Sequence, residues 1–212
     1  MSRTGRRVVL LTVCALSAGV ATVKAFGGLG DDGAARTITT TVPAETAQVP
    51  LAPAGPTPSL PDGWRRVRDR QGGFSVGLPP GWAARRSGGT LVLRSRDRTL
   101  AIAVGADRSA PGRVAAPSAY AREAIESLRG YRGLRSSPSR TVQTAPYPGA
   151  LATATGTYAD TGVKQAITLV ALQRRGDATF TLLAFRSAQS PQSPAQRVVD
   201  RIVDTVHAER PA

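Results

Sequence analysis

The sequence predicts an α+β fold: an antiparallel β-sheet flanked by two main helices and preceded by an N-terminal hydrophobic helix. Three observations carry this. Short stretches alternate apolar and polar residues with period 2, as in Phe74, Val76 and Leu78 or Leu100, Ile102 and Val104, the spacing of a half-buried strand. Tight-turn signals separate them, at Pro80-Gly81, Arg96-Asp97-Arg98, Asp160-Thr161-Gly162 and Arg175-Gly176-Asp177, so consecutive strands run antiparallel. Two segments, 117–129 and 193–207, change to a helical period.

The chain divides into three parts: 1–30, a signal anchor or signal peptide; 31–62, a disordered linker; 63–208, the folded domain. Arg3, Arg6 and Arg7 precede an uncharged run from Val8 to Val23, followed by Lys24. Sixteen residues of helix span about 24 Å, short of a hydrocarbon core of roughly 30 Å. Lys24 can snorkel, extending the membrane segment over residues 8–26. Small residues at 18, 19, 21 and 25 also offer cleavage points. Either way the positive flank stays inside, and everything after residue 30 lies outside the cytoplasm. The location is then the cell membrane, single-pass, or the exterior after signal cleavage. Residues 31–62 carry a threonine run at 39–41 and prolines at 43, 50, 53, 56, 58 and 61. Such a segment buries too little apolar surface to offset its ordering entropy, and reads as a tether.

In the domain, 64–70 reads as a short strand turning at Gln71-Gly72-Gly73. Phe74 to Leu78 is the next, with Ser75 and Gly77 on its polar side. Pro80-Gly81 turns the chain and sets Trp82 into the core, where Trp64 is also expected. Thr90–Ser95 and Thr99–Val104 form a hairpin. The first helix runs from Pro117 to Arg129, with Ser118 as its cap and Gly130 past its end. A weaker strand signal covers 134–144. Ala150–Tyr158 places threonines 153, 155 and 157 on one face, with Ala152, Ala154 and Tyr158 on the other. Val163–Arg174, apolar on both faces, reads as central, and Ala178–Arg186 completes a meander. In the closing helix Ser193 is the cap, Pro194 takes the first position and Gln196 completes a capping box. Ala195, Val198, Val199, Ile202, Val203 and Val206 form its buried stripe.

Much catalytic chemistry lacks its residues. His207 is the only histidine, placed in the last turn of a helix where the dipole favours it, and Cys14 is the only cysteine. A His-based triad or a Cys/His metal site therefore has no partners, and no disulfide forms within the chain. Gly27-Gly28-Leu29-Gly30 lacks the strand and lysine of a phosphate loop. Asp160 and Asp177 serve turns, and Glu123 and Glu126 lie on the solvent side of a helix. No cofactor is expected. What remains is basic surface: the net charge is +14, and of 28 basic residues only Lys24 and Lys164 are lysines. Arg94, Arg96 and Arg98 alternate, and would share one face if their strand continued through them. With Arg85 and Arg86 they form the candidate binding patch, since guanidinium groups grip carboxylate or phosphate bidentately.

Phe74-Ser-Val-Gly-Leu-Pro-Pro-Gly-Trp82, Leu91-Val-Leu and Leu100-Ala-Ile-Ala-Val resemble the start of PsbP-like domains, the Mog/PsbP-type α+β sandwich. More closely, they resemble extracytoplasmic domains of actinobacterial serine/threonine kinases and small lipoproteins. Leu128-Arg-Gly-Tyr131, the meander from Leu151 to Phe185 and the helix from Ser193 agree. The resemblance covers about residues 63 to 208 and rests on structural motifs, so it implies a fold rather than an activity. The expected function is a non-enzymatic, membrane-tethered binding or sensing module. Its partner would be an envelope protein, an anionic cell-wall polymer or a lipid headgroup; nucleic acid fits the charge but not the location. An accessory subunit stabilising a membrane or envelope complex is the second reading. A two-carboxylate hydrolase, for which no residue pair argues, is the third.

Overall fold

The computed structural model describes residues 56–87, 89–107, 115–143, 147–174 and 178–209. The N-terminal hydrophobic segment and the Arg175-Gly176-Asp177 turn lie outside them.

The described residues form a large antiparallel sheet with different cover on each face. Strands β3 (Ala83–Ser87), β4 (Thr90–Arg94) and β5 (Leu100–Asp107) make one wing. Strands β8 (Pro148–Tyr158), β9 (Lys164–Arg174) and β10 (Ala178–Ser187) make the meander. The spatial order is β3-β4-β5-β10-β9-β8-β6, where β6 is Tyr131–Ser136, and β7 (Arg140–Gln143) also pairs with β8. A second sheet has the order β1-β2-β11, from Arg65–Asp69, Phe74–Leu78 and His207–Ala208.

Alternation assigns the faces. Leu100, Ile102 and Val104 of β5 join Leu182, Phe180, Val170 and Leu172 in a core shared with the small sheet and helix α2 (Gln192–Asp204). Ala103 points the other way, with Leu183, Ile167 and Leu169, toward helix α1 (Pro117–Glu126). The layers are therefore α1, the large sheet, then the small sheet beside α2. Strand β9 is buried on both faces, as its sequence predicts. The threonine and alanine faces of β8 fall as expected, with Ala152, Ala154 and Tyr158 buried.

Local expectations fail at four places. Ser118 caps nothing: Ala116 is the N-cap of α1, Pro117 opens it, and the helix ends at Glu126, short of Gly130. In α2 the helix starts a residue before Ser193, after an extended Pro191, with no side-chain cap. Pro194 falls within the first turn, where the missing N–H costs no intrahelical bond. Gln196 turns forward instead, donating to Asp200 Oδ1 at 2.7 Å. His207 is not helical. The helix stops at Thr205, whose hydroxyl donates to the Ile202 carbonyl at 2.7 Å, and His207 pairs with Ser75 as part of β11.

Strand β2 is the fourth correction: all five of its residues are buried, not alternate ones. Its inner face holds Phe74, Val76 and Leu78. Its outer face is covered by Thr205, whose Oγ1 accepts the Gly77 N–H at 2.8 Å, and by Leu60, the end of a strap over 57–60. A Cβ on Gly77 would lie 2.9 Å from both Leu60 Cδ2 and Thr205 Oγ1, so only glycine permits this approach. Arg66 ties down the same strap, donating to the Pro58 carbonyl and, at 3.2 Å, to the Thr205 carbonyl. The Thr57 hydroxyl lies 3.3 Å from His207 Nε2. Packing on the domain thus begins ahead of Gly63.

Candidate functional site

The Pro80-Gly81 turn forms as its residues dictate: Gly81 has φ 73° and Trp82 N–H donates to the Pro79 carbonyl at 3.2 Å. It delivers Trp82 to the edge of the sandwich rather than its interior. Trp82 is half-buried: it packs against the core and also lines a groove of about 840 Å³. One wall is the β4–β5 turn, through Ser95, Arg96, Asp97 and Thr99. The other is the first half of α2, where Pro191, Pro194, Ala195 and Val198 face across to Trp82, Pro80 and Leu100. The expected buried stripe of α2 thus splits. Val199, Ile202 and Val203 enter the core, while Ala195 and Val198 form groove wall.

The polar groups of this groove are largely spoken for. Ser95 Oγ lies 3.1 Å from the Leu100 carbonyl oxygen and accepts the Leu100 N–H at 3.1 Å. Asp97 accepts the Thr99 N–H at 3.1 Å and the Thr99 hydroxyl at 2.9 Å. Hydrogen bonds from Ser95 and from Thr99 hold its carboxyl below the usual range, so it stays ionised. Arg186 donates to the carbonyls of Ser187 and Ser190, at 3.2 and 2.7 Å. Arg96 lines the groove from an exposed position on its rim.

The five candidate arginines do not gather. Strand β4 ends at Arg94, and a tight turn follows in which Arg98 N–H donates to the Ser95 carbonyl at 3.0 Å and Arg98 takes φ 61°. The period-2 row through Arg94, Arg96 and Arg98 is therefore broken. Cross-strand register puts Arg85 beside Val92 and Ala103, and Arg94 beside Ala101, on the α1 side of the sheet. Arg86, opposite Leu91, faces the sandwich and pairs with Asp69, whose side chain is 1% exposed. It closes the gap between β3 and β1. Only Arg96 belongs to the groove.

Sequence reasoning missed the groove because it forms across distant segments. The available signal was the density of rigid apolar residues around 79–82 and 191–194.

Other polar clusters offer less. Tyr120 accepts from Thr181 Oγ1 at 3.2 Å, and burial raises its hydroxyl above the usual tyrosine range; burial likewise raises neighbouring Asp107. Tyr131 donates to buried Gln165 Oε1 at 2.7 Å. Among the described residues no cluster of three or more His, Cys, Asp or Glu side chains is placed to hold a metal ion. Nor is any helix there long and apolar enough to cross a membrane; the apolar segment 8–26 lies outside them.

No family model matches the chain, and no curated protein does. Solved structures do. The Saccharomyces cerevisiae Ran-binding protein Mog1p aligns with TM-score 0.52 and 11% identity, over 72% of this chain and 97% of that one. A crystal structure from Bacteroides thetaiotaomicron aligns with TM-score 0.50 and 13% identity over 69% of this chain, which spans only 48% of it. LpqN of Mycobacterium tuberculosis, described as involved in cell envelope biogenesis, aligns at TM-score 0.44 with 14% identity, over 71% and 88%, too distant to carry an argument. Identities this low speak to the fold alone, and the fold is of the Mog1/PsbP-like type.

Proposed function

We propose that the chain is a non-enzymatic binding module, tethered to the membrane through residues 8–26, that presents the Trp82 groove outside the cytoplasm. The carrying observation is the groove itself: a concave apolar surface whose polar groups are mostly satisfied internally, with Trp82 on one side and α2 on the other. Such a lining holds a ligand by contact and desolvation. It contains no pair of titratable groups set up to exchange a proton with a substrate. Mog1p is a Ran-binding protein, which makes protein binding a precedent on this fold. The N-terminal pattern of basic residues, apolar run and proline-rich tether supports the location.

In-cell photo-crosslinking tests this. A crosslinker at position 195 should capture a discrete partner, whereas one at exposed position 122 on α1 should not. Equal or absent labelling at both positions overturns the assignment of the groove. External protease acting on spheroplasts should digest the domain; protection would overturn the location.

A further inference from the structure

We propose that the groove takes an extended, proline-containing segment of a partner protein, with a single carboxylate of that segment meeting Arg96. This rests on the groove being the binding site, and names what enters it.

The lining decides the class. Pro80, Pro191 and Pro194 bring no N–H donor and almost no side-chain freedom, and Trp82 adds one broad aromatic surface. The hydroxyls of Ser95 and Thr99 are engaged within their own turn. A wall glycan carries hydroxyls at nearly every carbon, and each one buried here without a partner would weaken binding. A polyproline II segment asks for little: it forms no internal hydrogen bonds, keeps its backbone in water and presents pyrrolidine faces that stack on aromatic and apolar walls.

Charge sets the second requirement. Asp97 spends both carboxylate oxygens on Thr99, and one Arg186 nitrogen is committed to two carbonyls. Arg96 stands exposed on the rim, and Arg186 is the second guanidinium in the lining, so the groove offers positive charge to a ligand on a chain of net charge +14. A phosphate headgroup is best held by converging guanidinium groups, yet Arg85 and Arg94 lie on the far face of the sheet and Arg86 is paired with Asp69. Arg186 is turned toward the Ser187 and Ser190 carbonyls, which leaves the exposed Arg96 to meet the carboxylate.

The full chain, reconstituted in phosphatidylcholine nanodiscs, should bind fluorescent capped heptapeptides rich in proline and leucine with one Glu stepped along the sequence. At the best position the Gln counterpart should bind about tenfold more weakly, the scale of one charge-assisted hydrogen bond. Arg96→Gln should erase that preference, bringing the Glu peptide to the level of its Gln counterpart. Ala195→Phe, or Thr99→Phe should the first not fold, should block both peptides. A Glu preference that survives Arg96→Gln overturns the proposal. Binding of phosphatidylglycerol vesicles that Ala195→Phe abolishes, with no peptide bound, also overturns it while leaving the groove a binding site. If neither probe binds, the groove reading falls as well.

Discussion

The two faces of the large sheet are built from different materials. Toward α1, six of the eleven buried core residues are alanines, at 103, 121, 150, 152, 154 and 171. Small side chains on both surfaces bring the helix backbone close to the strands. Toward the small sheet the core is made of Phe74, Phe180, Leu78, Leu93, Leu172 and Leu182, with Phe74 and Phe180 meeting edge to face at 6.1 Å. Bulky residues hold the two layers apart, and a gap opens where the small sheet ends and α2 begins. The groove occupies that gap. The tight face is a frame; the wide face supplies the surface.

Four changes put this contrast at risk. Phe180→Ala, at the centre of the wide core, should cost about 3–5 kcal/mol in chemical denaturation. Ala152→Leu, on the alanine face, should destabilise by about 1–3 kcal/mol through overpacking; a neutral result would mean α1 is not seated closely. Trp82→Ala should cost only about 1–2 kcal/mol, because half of the ring already faces the groove; a loss as large as that of Phe180→Ala would return the tryptophan to the core. The smallest effect concerns acid. Burial, then Arg66 and Arg174, depress the His207 pKa below the usual histidine value against the pull of Glu209. The folded state therefore favours neutral His207. Its contribution is full above about pH 6.5 and is lost as pH falls below that value, because the unfolded chain takes up the proton first. Thermal melts between pH 7.5 and 5 should show this slope in the parent and a flatter one in His207→Gln.

How much of this was legible depended on the range of the interaction. Leu100, Ile102 and Val104 share a face because strands repeat every two residues, and Arg96-Asp97-Arg98 turns because Asp97 satisfies its own neighbours. Both are local facts. The first helix begins at Pro117 as its sequence predicts, but Ser118 and Ser193 only look like caps: Ala116 and Pro191 hold those positions, and neither helix has a side-chain cap. The burial of Ser75 and Gly77 depends on Thr205, His207 and Leu60, which no periodicity within β2 reveals. The spread of the five candidate arginines over different faces has the same cause. Whether Arg86 is free depends on Asp69, and its side depends on register against β4. Most strands could be read in advance, though not β3 or the division of 134–144 between β6 and β7; the site, an alignment of two loops and a helix, could not.

Strand β11 closes a sheet whose other two strands were made some 130 residues earlier, since His207 and Ala208 pair with Ser75 and Phe74. During synthesis β1 and β2 emerge first, but β2 cannot bury its outer face until α2 and β11 follow. The most apolar strand of the small sheet therefore lacks part of its outer cover until nearly the whole described domain has been made. Pairing over that separation also raises contact order, which favours slow folding. A chain cut just after Asp204 would keep every strand of the large sheet and lose the seam that joins its beginning to its end.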